Sequence, residues 1–427
     1  MLKIMEFELF YNTSGICTDT RNIQKDSLFV CLSGANFNGN DYAKDALKKG
    51  AKYVISDDIK NQNIENVYIV ENSLIYLQKL ANYHRKKFNF PILGITGSNG
   101  KTTSKELIFH VLKQKYNVHA TKGNLNNHIG VPLTLLQLTQ QHELAIIEMG
   151  ANKPGDIKEL VEIAEPTHCI ITNIGKAHLE GFGSYTGVIN TKGEMYKYAE
   201  NNNTVIFYND SDELLKSILP YKTQNIPYSN HLECSLIRMT PFVCMRWKSK
   251  DYSSGELETK MIGKYNFTNF VAAISIGKYF EVENEKISEA ITSYFPTNNR
   301  SQIQQTKKNT LILDAYNANP SSMKNAIESF GEMEHLNKLL ILGDMFELGS
   351  DSKSEHQEII NTIESKKLNC YFVGNLFYSE KNQIENCLFF ESKLALIEYL
   401  KTNSPKSTLI LLKASRGIGL EDVVEYL

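Results

Sequence analysis

The sequence predicts an α/β protein of three domains. A small α/β unit spans residues 1–88, a central domain with a mostly parallel sheet spans 89–298, and a Rossmann-like α/β unit spans 299–427. Three observations predict this. The 427 residues exceed what one ordinary domain holds. Short apolar runs rich in Ile and Val recur with helical segments between them, the pattern of βαβ units around a sheet buried on both faces. That alternation restarts twice, at Pro91 and again near residue 299.

In the first unit, apolar runs at 28–32, 53–55 and 67–70 predict strands, and residues 42–49 an amphipathic helix. In the second, the strand PILGIT runs into a glycine-rich turn and a helix over 103–115. Further buried strands are predicted at 144–149, 169–174 and 204–208. Residues 232–262 alternate as a meander or hairpin would. A helix beginning near Asn266 then carries Phe270, Val271, Ile274 and Ile276 toward a core. The third unit places strands at 311–313, 339–342, 371–373 and 409–412. No fixed-period repeat or low-complexity tract occurs, which excludes solenoids and disordered tails.

Composition narrows the function classes. With 42% hydrophobic and 22% charged residues the chain reads as globular, and 46 basic against 48 acidic side chains leave a net charge of −2. That is not the basic field of a nucleic-acid binder, so any anionic ligand must be held by a local arrangement. Seven cysteines without a CxxC pair indicate neither a disulfide framework nor a zinc site. The N-terminus lacks a basic stretch and cleavage site, and no apolar run approaches the ~20 residues of a membrane span. A cytoplasmic protein is expected, and a monomer, although no residue pattern speaks to the oligomeric state.

The strongest chemical signal is TGSNGKTT, residues 96–103, between a strand and a helix. Gly97 and Gly100 let the backbone of Ser98 and Asn99 curl so that successive N–H groups face phosphate oxygens. The helix N-terminus at Thr102 and Thr103 adds partial positive charge. Lys101 can reach the β- and γ-phosphates, and the Thr102 hydroxyl can hold Mg²⁺. The generic motif places a glycine where this chain has Ile95.

Glu148 ends the run LAIIEMG, which puts a carboxylate at the carboxyl edge of a parallel strand, where α/β sheets bind ligands. A capping or surface acid is the plainer alternative. The next strand ends in TNIGKAHLEGFGS, which brings His178 to a loop over the same edge, either as a ligand or as an ordinary structural histidine. Lys192, in NTKGEMYKY, reads by itself as a solvated lysine opening a helix.

In this order and spacing, TGSNGKTT, EMG, NIGKAHLEGFGS and TKGEMYKY resemble the ATPase domain of the Mur ligase family, whose version of the loop lacks the first glycine. NLNNHIGVPLTLL (with Asn126 and Asn127), LDAYNANPSSM, LGDMFELG followed by His356, and KASRGIGLE resemble the member that adds D-alanyl-D-alanine. TDTR at 18–21 and the segment 25–51 resemble that member's uridine-nucleotide domain. The resemblance spans nearly the whole chain.

It implies an ATP-dependent amide-bond ligase that joins D-alanyl-D-alanine to UDP-N-acetylmuramoyl-tripeptide, in peptidoglycan precursor synthesis. The first unit would bind the UDP-muramoyl peptide, the central one ATP, and the third would complete the ligase site. Thr102 and Glu148 would bind Mg²⁺, with His178 at a second ion and Lys192 carbamylated by CO₂. Lys101, Glu148, His178 and Lys192 would form the catalytic set. Asn266 and Asn269 match the adenine-binding segment GKYNFTNFVAAI, while Arg300 and Asp314 match nucleotide contacts from the third domain. Residues 298–301 (NNRS) depart from the more frequent Gly-Arg, and Ala414 stands where Gly is usual. Substrate contacts would come from Thr20, Arg21, Ser33, Gly34, Asn126, Asn127, Tyr316, Asn317, Asn319, Lys413, Ser415 and Arg416. Two alternatives are another ligase of the superfamily, of the folylpolyglutamate synthase type, and a P-loop NTPase acting as a mechanical or regulatory switch.

Overall fold

The computed structural model describes residues 4–297, 299–381 and 383–427; Asn298, where the expected second boundary falls, lies outside them. Three α/β units follow one another along the chain. The first has a four-stranded parallel sheet (Ile16–Cys17, Leu28–Val30, Tyr53–Ser56, Val67–Ile69) and a two-stranded hairpin, Ser33–Gly34 with Phe37–Asn38. Sequence periodicity did not single out its longest helix, Ser73–Arg85, which the Asn72 side chain caps by accepting the Ile75 N–H at 2.9 Å. That helix faces the central domain. Its Arg85, 7% exposed, donates to the carbonyls of Ala164, Phe88 and Glu165 at 2.8–2.9 Å.

The central sheet is parallel throughout. In spatial order its strands are Asn225–Pro227, Val205–Tyr208, His168–Ile171, Ile92–Thr96, Leu144–Glu148 and Val118–Ala120. From Ile92–Thr96 the chain fills one side of the sheet first and then crosses to the other, so the strand order reverses at that strand. Open α/β sheets bind ligands in the crevice at such a point, and the glycine-rich turn leaves this strand there. Helix Lys101–Leu112 packs against helix Tyr265–Tyr279, which buries Phe270, Ile274 and Ile276 and leaves Val271 half-buried. The expected meander is an antiparallel sheet centred on the pair Glu233–Arg238 and Cys244–Ser249. Its single tryptophan, Trp247, is buried and donates to Ser288 Oγ at 3.0 Å.

The C-terminal sheet orders its strands Gln302–Gln305, Thr310–Leu313, Leu409–Lys413, Lys338–Gly343, Cys370–Val373 and Cys387–Phe390; only the first runs antiparallel. Pairing of Leu313 with Leu412 sets the residues that follow, Asp314 and Lys413, side by side at the carboxyl edge. All seven cysteines are free. Among the described residues no helix is long and apolar enough to cross a membrane.

Candidate active site

The phosphate loop is held in shape by the neighbouring strand. Gly97 (φ +141°) and Gly100 (φ +78°) sit in conformations that L side chains rarely adopt. A Cβ on Gly97 would lie 2.1 Å from Thr172 Oγ1. That hydroxyl donates to the Asn99 carbonyl at 2.6 Å, Asn173 both donates to and accepts from the Asn99 backbone, and the Ser98 N–H donates to the Asn173 carbonyl at 2.9 Å. Nothing in the amino-acid pattern marks Thr172 and Asn173 as loop clamps, because only the register of two strands brings them there.

Helix Lys101–Leu112 then begins with Gly100 as its left-handed cap, leaving the first backbone N–H groups directed at the cavity. Lys101 folds back over the loop, donating to the carbonyls of Gly97 at 2.7 Å and Ser98 at 3.3 Å. Burial drives its pKa down to about 8; Glu148 opposes this and Arg300 adds to it.

Below the loop lies Glu148, 1% exposed. Its Oε1 accepts from Thr102 Oγ1 at 3.1 Å and Asn126 Nδ2 at 2.9 Å, while its Oε2 has no hydrogen-bond partner among the described residues. Lys105 Nζ approaches Oε2 at 3.6 Å and donates to the Thr121 carbonyl at 2.7 Å. Lys105 was not foreseen: one turn after Lys101 it reads as a surface residue, yet it is 1% exposed. A buried carboxylate oxygen without a donor, beside a threonine hydroxyl, is the oxygen-rich set a hard divalent cation such as Mg²⁺ takes.

A cavity of about 320 Å³ opens above the loop, and the central and C-terminal domains line it jointly. From the central domain come Ser98 to Thr103, His178, Asn266 and Asn269; from the C-terminal domain come Arg300, Asp314, Tyr316, Asn317, Asn319 and Lys413. Asn269 accepts from Ser104 Oγ and donates to Asn266 Oδ1, and Asn266 donates to the Ile262 carbonyl at 2.7 Å. Arg300 stacks on Tyr316, 3.9 Å from the ring centroid, and its Nε is buried without a hydrogen-bond partner among the described residues. Lys413 pairs with Asp314 at 2.5 Å and Asn319 donates to Asn99 Oδ1 at 2.8 Å, tying the C-terminal domain to the phosphate loop. Ser415 is buried and accepts from the Phe346 N–H; Arg416 is exposed and pairs with Glu421.

Two catalytic candidates depart from expectation. His178, in a left-handed conformation (φ +52°), meets the Glu347 carboxylate of the C-terminal domain through its Nδ1, and this hydrogen bond holds the Glu347 carboxyl below its ordinary range. Among the described residues no three His, Cys, Asp or Glu side chains gather into a metal-binding group, so the protein side chains as they stand do not assemble the second ion site. Lys192 is not a solvated residue opening a helix. It lies two turns into helix Tyr185–Asn202, 2% exposed, with its Nζ 5.7 Å from the Phe182 ring centroid. Burial, followed by the nearby Lys101 charge, pushes its pKa well below the ordinary lysine value.

The remaining substrate candidates lie apart from this cavity. Asn126 and Asn127 line a second cleft with Leu74 of the first domain and with Lys153 and Asp156 of the central one. Asn126 joins the two, since the same side chain reaches Glu148. Arg21 is exposed and bound to Asp19 through two nitrogens at 2.8–3.1 Å, the Thr20 carbonyl accepts from Lys49 Nζ, and Ser33 donates to Asn38 Oδ1 in the hairpin that includes Gly34. None of these four lines either cavity.

Comparison with known proteins shows which chains this one is similar to. Residues 12–86 match the profile of the Mur ligase family catalytic domain, 95–277 the Mur ligase middle domain and 299–416 the Mur ligase glutamate ligase domain. The chain is 33% identical to the UDP-N-acetylmuramoyl-tripeptide–D-alanyl-D-alanine ligase of Bacillus subtilis, covering 97% of this chain and 93% of that one. It is 36% identical to the ligase of that name from Buchnera aphidicola, covering 96% and 92%. Among solved structures, a MurF ligase from Thermotoga maritima in complex with ADP superposes with a TM-score of 0.86 at 26% identity, covering 98% and 97%. A folylpolyglutamate synthase from Mycobacterium tuberculosis shares the fold alone, at 11% identity and a TM-score of 0.63 over 83% of this chain.

Proposed function

The chain belongs to the Mur ligase family, and from that premise we propose that it joins D-alanyl-D-alanine to UDP-N-acetylmuramoyl-tripeptide at the expense of ATP, a step of peptidoglycan precursor synthesis in the cytoplasm. One observation carries the reading. The triad Thr102, Glu148 and Asn126 stands where the nucleotide cavity meets the Asn126 cleft, so a phosphate bound at the loop faces a substrate lying in that cleft.

A carboxylate is a poor electrophile because it must expel an oxide. In the first step its oxygen attacks the γ-phosphorus of ATP; the new O–P bond forms as the bond to the β-bridging oxygen breaks, giving an acyl phosphate and ADP. The amine of D-alanyl-D-alanine then attacks the acyl carbon, inorganic phosphate leaves from the tetrahedral intermediate, and the nitrogen loses a proton. The protein's work is positioning and charge neutralisation. Lys101 and Arg300 offer donors to the transferring phosphoryl group, and Asn266, Asn269, Asp314 and Tyr316 frame the nucleotide. Tyr316, Asn317, Asn319, Lys413, Ser415 and Arg416 form the side from which the dipeptide would arrive. Mg²⁺, bound by Thr102 and Glu148, would offset the charge on the β- and γ-phosphates.

Lys192 fits carbamylation. A desolvated amine of depressed pKa is nucleophilic toward CO₂; the neutral amine adds CO₂ with loss of one proton, which turns a neutral buried group into an anion. The two new oxygens would supply what His178 lacks for a second ion. Lys192→Ala should lose ligation and regain part of it with a short carboxylic acid. ¹³C-bicarbonate should give a carbamate signal in the wild-type enzyme and none in the variant; an unlabelled wild-type lysine overturns this assignment.

The test of function is ADP release. It should require both UDP-N-acetylmuramoyl-tripeptide and D-alanyl-D-alanine. Steady ADP release without either would favour an NTPase switch, and dependence on a folate and glutamate would favour the folylpolyglutamate synthase type.

A further inference from the structure

Nearly half of the nucleotide cavity's lining belongs to the C-terminal domain, so its geometry is only as fixed as the seating of that domain on the central one. Besides the Asn319–Asn99 tie and the contacts of Ser301 with Tyr265 and Asn266, the seating runs along one seam. From the central domain comes the segment 175–182, which follows the strand beside the phosphate loop and ends in the short helix Leu179–Phe182. From the C-terminal domain come the loop 344–348 and the first turn of helix Ser352–Ser365. Lys176 Nζ donates to Glu355 Oε1 at 2.6 Å, and the Lys176 N–H donates to Ser321 Oγ at 3.1 Å. The Glu180 N–H donates to the Glu347 carbonyl at 3.1 Å, and His178 pairs with the Glu347 carboxylate.

The C-terminal half of this seam is built rigid. The His356 ring has no solvent exposure; its Nε2 accepts the Met345 N–H at 3.0 Å, so the proton is on Nδ1, which donates to the Ser352 carbonyl at 2.7 Å. That contact fixes the loop carrying Phe346 and Glu347, while the preceding residue in the helix, Glu355, presents its carboxylate across the domain boundary. The Glu355 side chain is only 5% exposed and its partner Lys176 is 48% exposed, so one end of the pair is anchored and the other free to engage or leave.

We propose that Lys176 and Glu355 form the bolt of an interdomain latch, and that both are positioning residues for ligation: when the bolt is engaged, Arg300, Tyr316 and Asn319 stand over the phosphate loop in reacting register. Neither side chain lines the cavity or touches Glu148. The latch rests on the ligase reading only for its kinetic consequence; the domain seating can be measured without it.

Charge reversal tests it. Lys176→Glu should lower the kcat/KM of ligation by about tenfold, since misplacing a reacting group by an ångström costs up to about a hundredfold. It should also lengthen the central-to-C-terminal distance read by a fluorophore pair. The double variant Lys176→Glu with Glu355→Lys should recover both readouts, which a purely local role for either residue would not allow. If the buried Glu355→Lys substitution prevents folding, a cycle of Lys176→Gln and Glu355→Gln takes its place: equal single losses, with no further loss in the double, support the bolt. An unchanged distance and rate in Lys176→Glu, or additive losses in the cycle, overturn it. An enzyme that releases no ADP with both substrates refutes the ligase reading, and the distance measurement still judges the latch.

Discussion

Lys101 is a half-buried cation folded back on its own loop, where the Gly97 and Ser98 carbonyls accept from its ammonium. Its pKa of about 8 gives the site a testable pH dependence. Below that value the ammonium can meet a phosphate; above it the free enzyme loses the charge. The kcat/KM for ATP should therefore fall along a limb centred near pH 8, while the limb in kcat moves to higher pH because bound phosphates restore the proton. The linkage to stability has the opposite sense. The folded value lies below that of an unfolded lysine, about 10.4, so between the two the unfolded chain binds more protons and stability rises with pH. Lys101→Ala should reduce ligation on the order of 10²-fold or more at saturating ATP without unfolding the protein. A variant with near-normal turnover would remove the phosphate-loop assignment.

The phosphate loop is one element that works only as a unit with its neighbours. Gly97 meets two demands: a left-handed backbone and the space that Thr172 Oγ1 occupies. Gly97→Ala should therefore cost about 1–3 kcal/mol of stability through strain. It should also weaken ADP binding measured by calorimetry, since the clamp on Asn99 would open. Full stability with full affinity would mean that the clamp is dispensable. Helix Ser73–Arg85 shows how an element can belong to two domains. Its sequence starts from the first unit, but Arg85 is spent on central-domain carbonyls. Arg85→Ala leaves those carbonyls without their charged donor and should cost roughly 1.5–3 kcal/mol. The buried Trp247, the only tryptophan, offers the fluorescence probe, and the urea midpoint should drop. An unchanged midpoint would mean that the anchor contributes nothing net.

Across the whole molecule the functional candidates divide among three places. The proposed nucleotide cavity sits between the second and third units, the Asn126 cleft between the first and second, and Arg21 and Ser33 on the first unit alone. If the first unit recognises the uridine nucleotide, Arg21→Ala and Ser33→Ala should raise the KM for the UDP substrate and leave that for ATP unchanged. Arg21 makes no contact with the cavity, so a fall in ATP affinity would contradict that division of labour.

Most of the strands and the identity of the loop are legible in the amino-acid sequence, though helix Ser73–Arg85 is not. Ile- and Val-rich runs bounded by turns read as buried strands because burial on both faces leaves no room for alternation, and the helix after TGSNGKTT could be read from its glycines and Gly-Lys-Thr. The sequence also determined the family, through short segments whose order spans the chain. Only the tertiary structure decided where the chemistry of isolated side chains leads. Lys192 and Lys105 carry the residue type of a surface and the burial of a core; His178 has a partner more than 160 residues away, in Glu347. Thr172 and Asn173 became loop clamps through strand register. The reason is physical. Local pattern reports which face of an element is apolar, whereas the partner of a polar group is set by the meeting of elements distant in sequence, and no periodicity records that meeting.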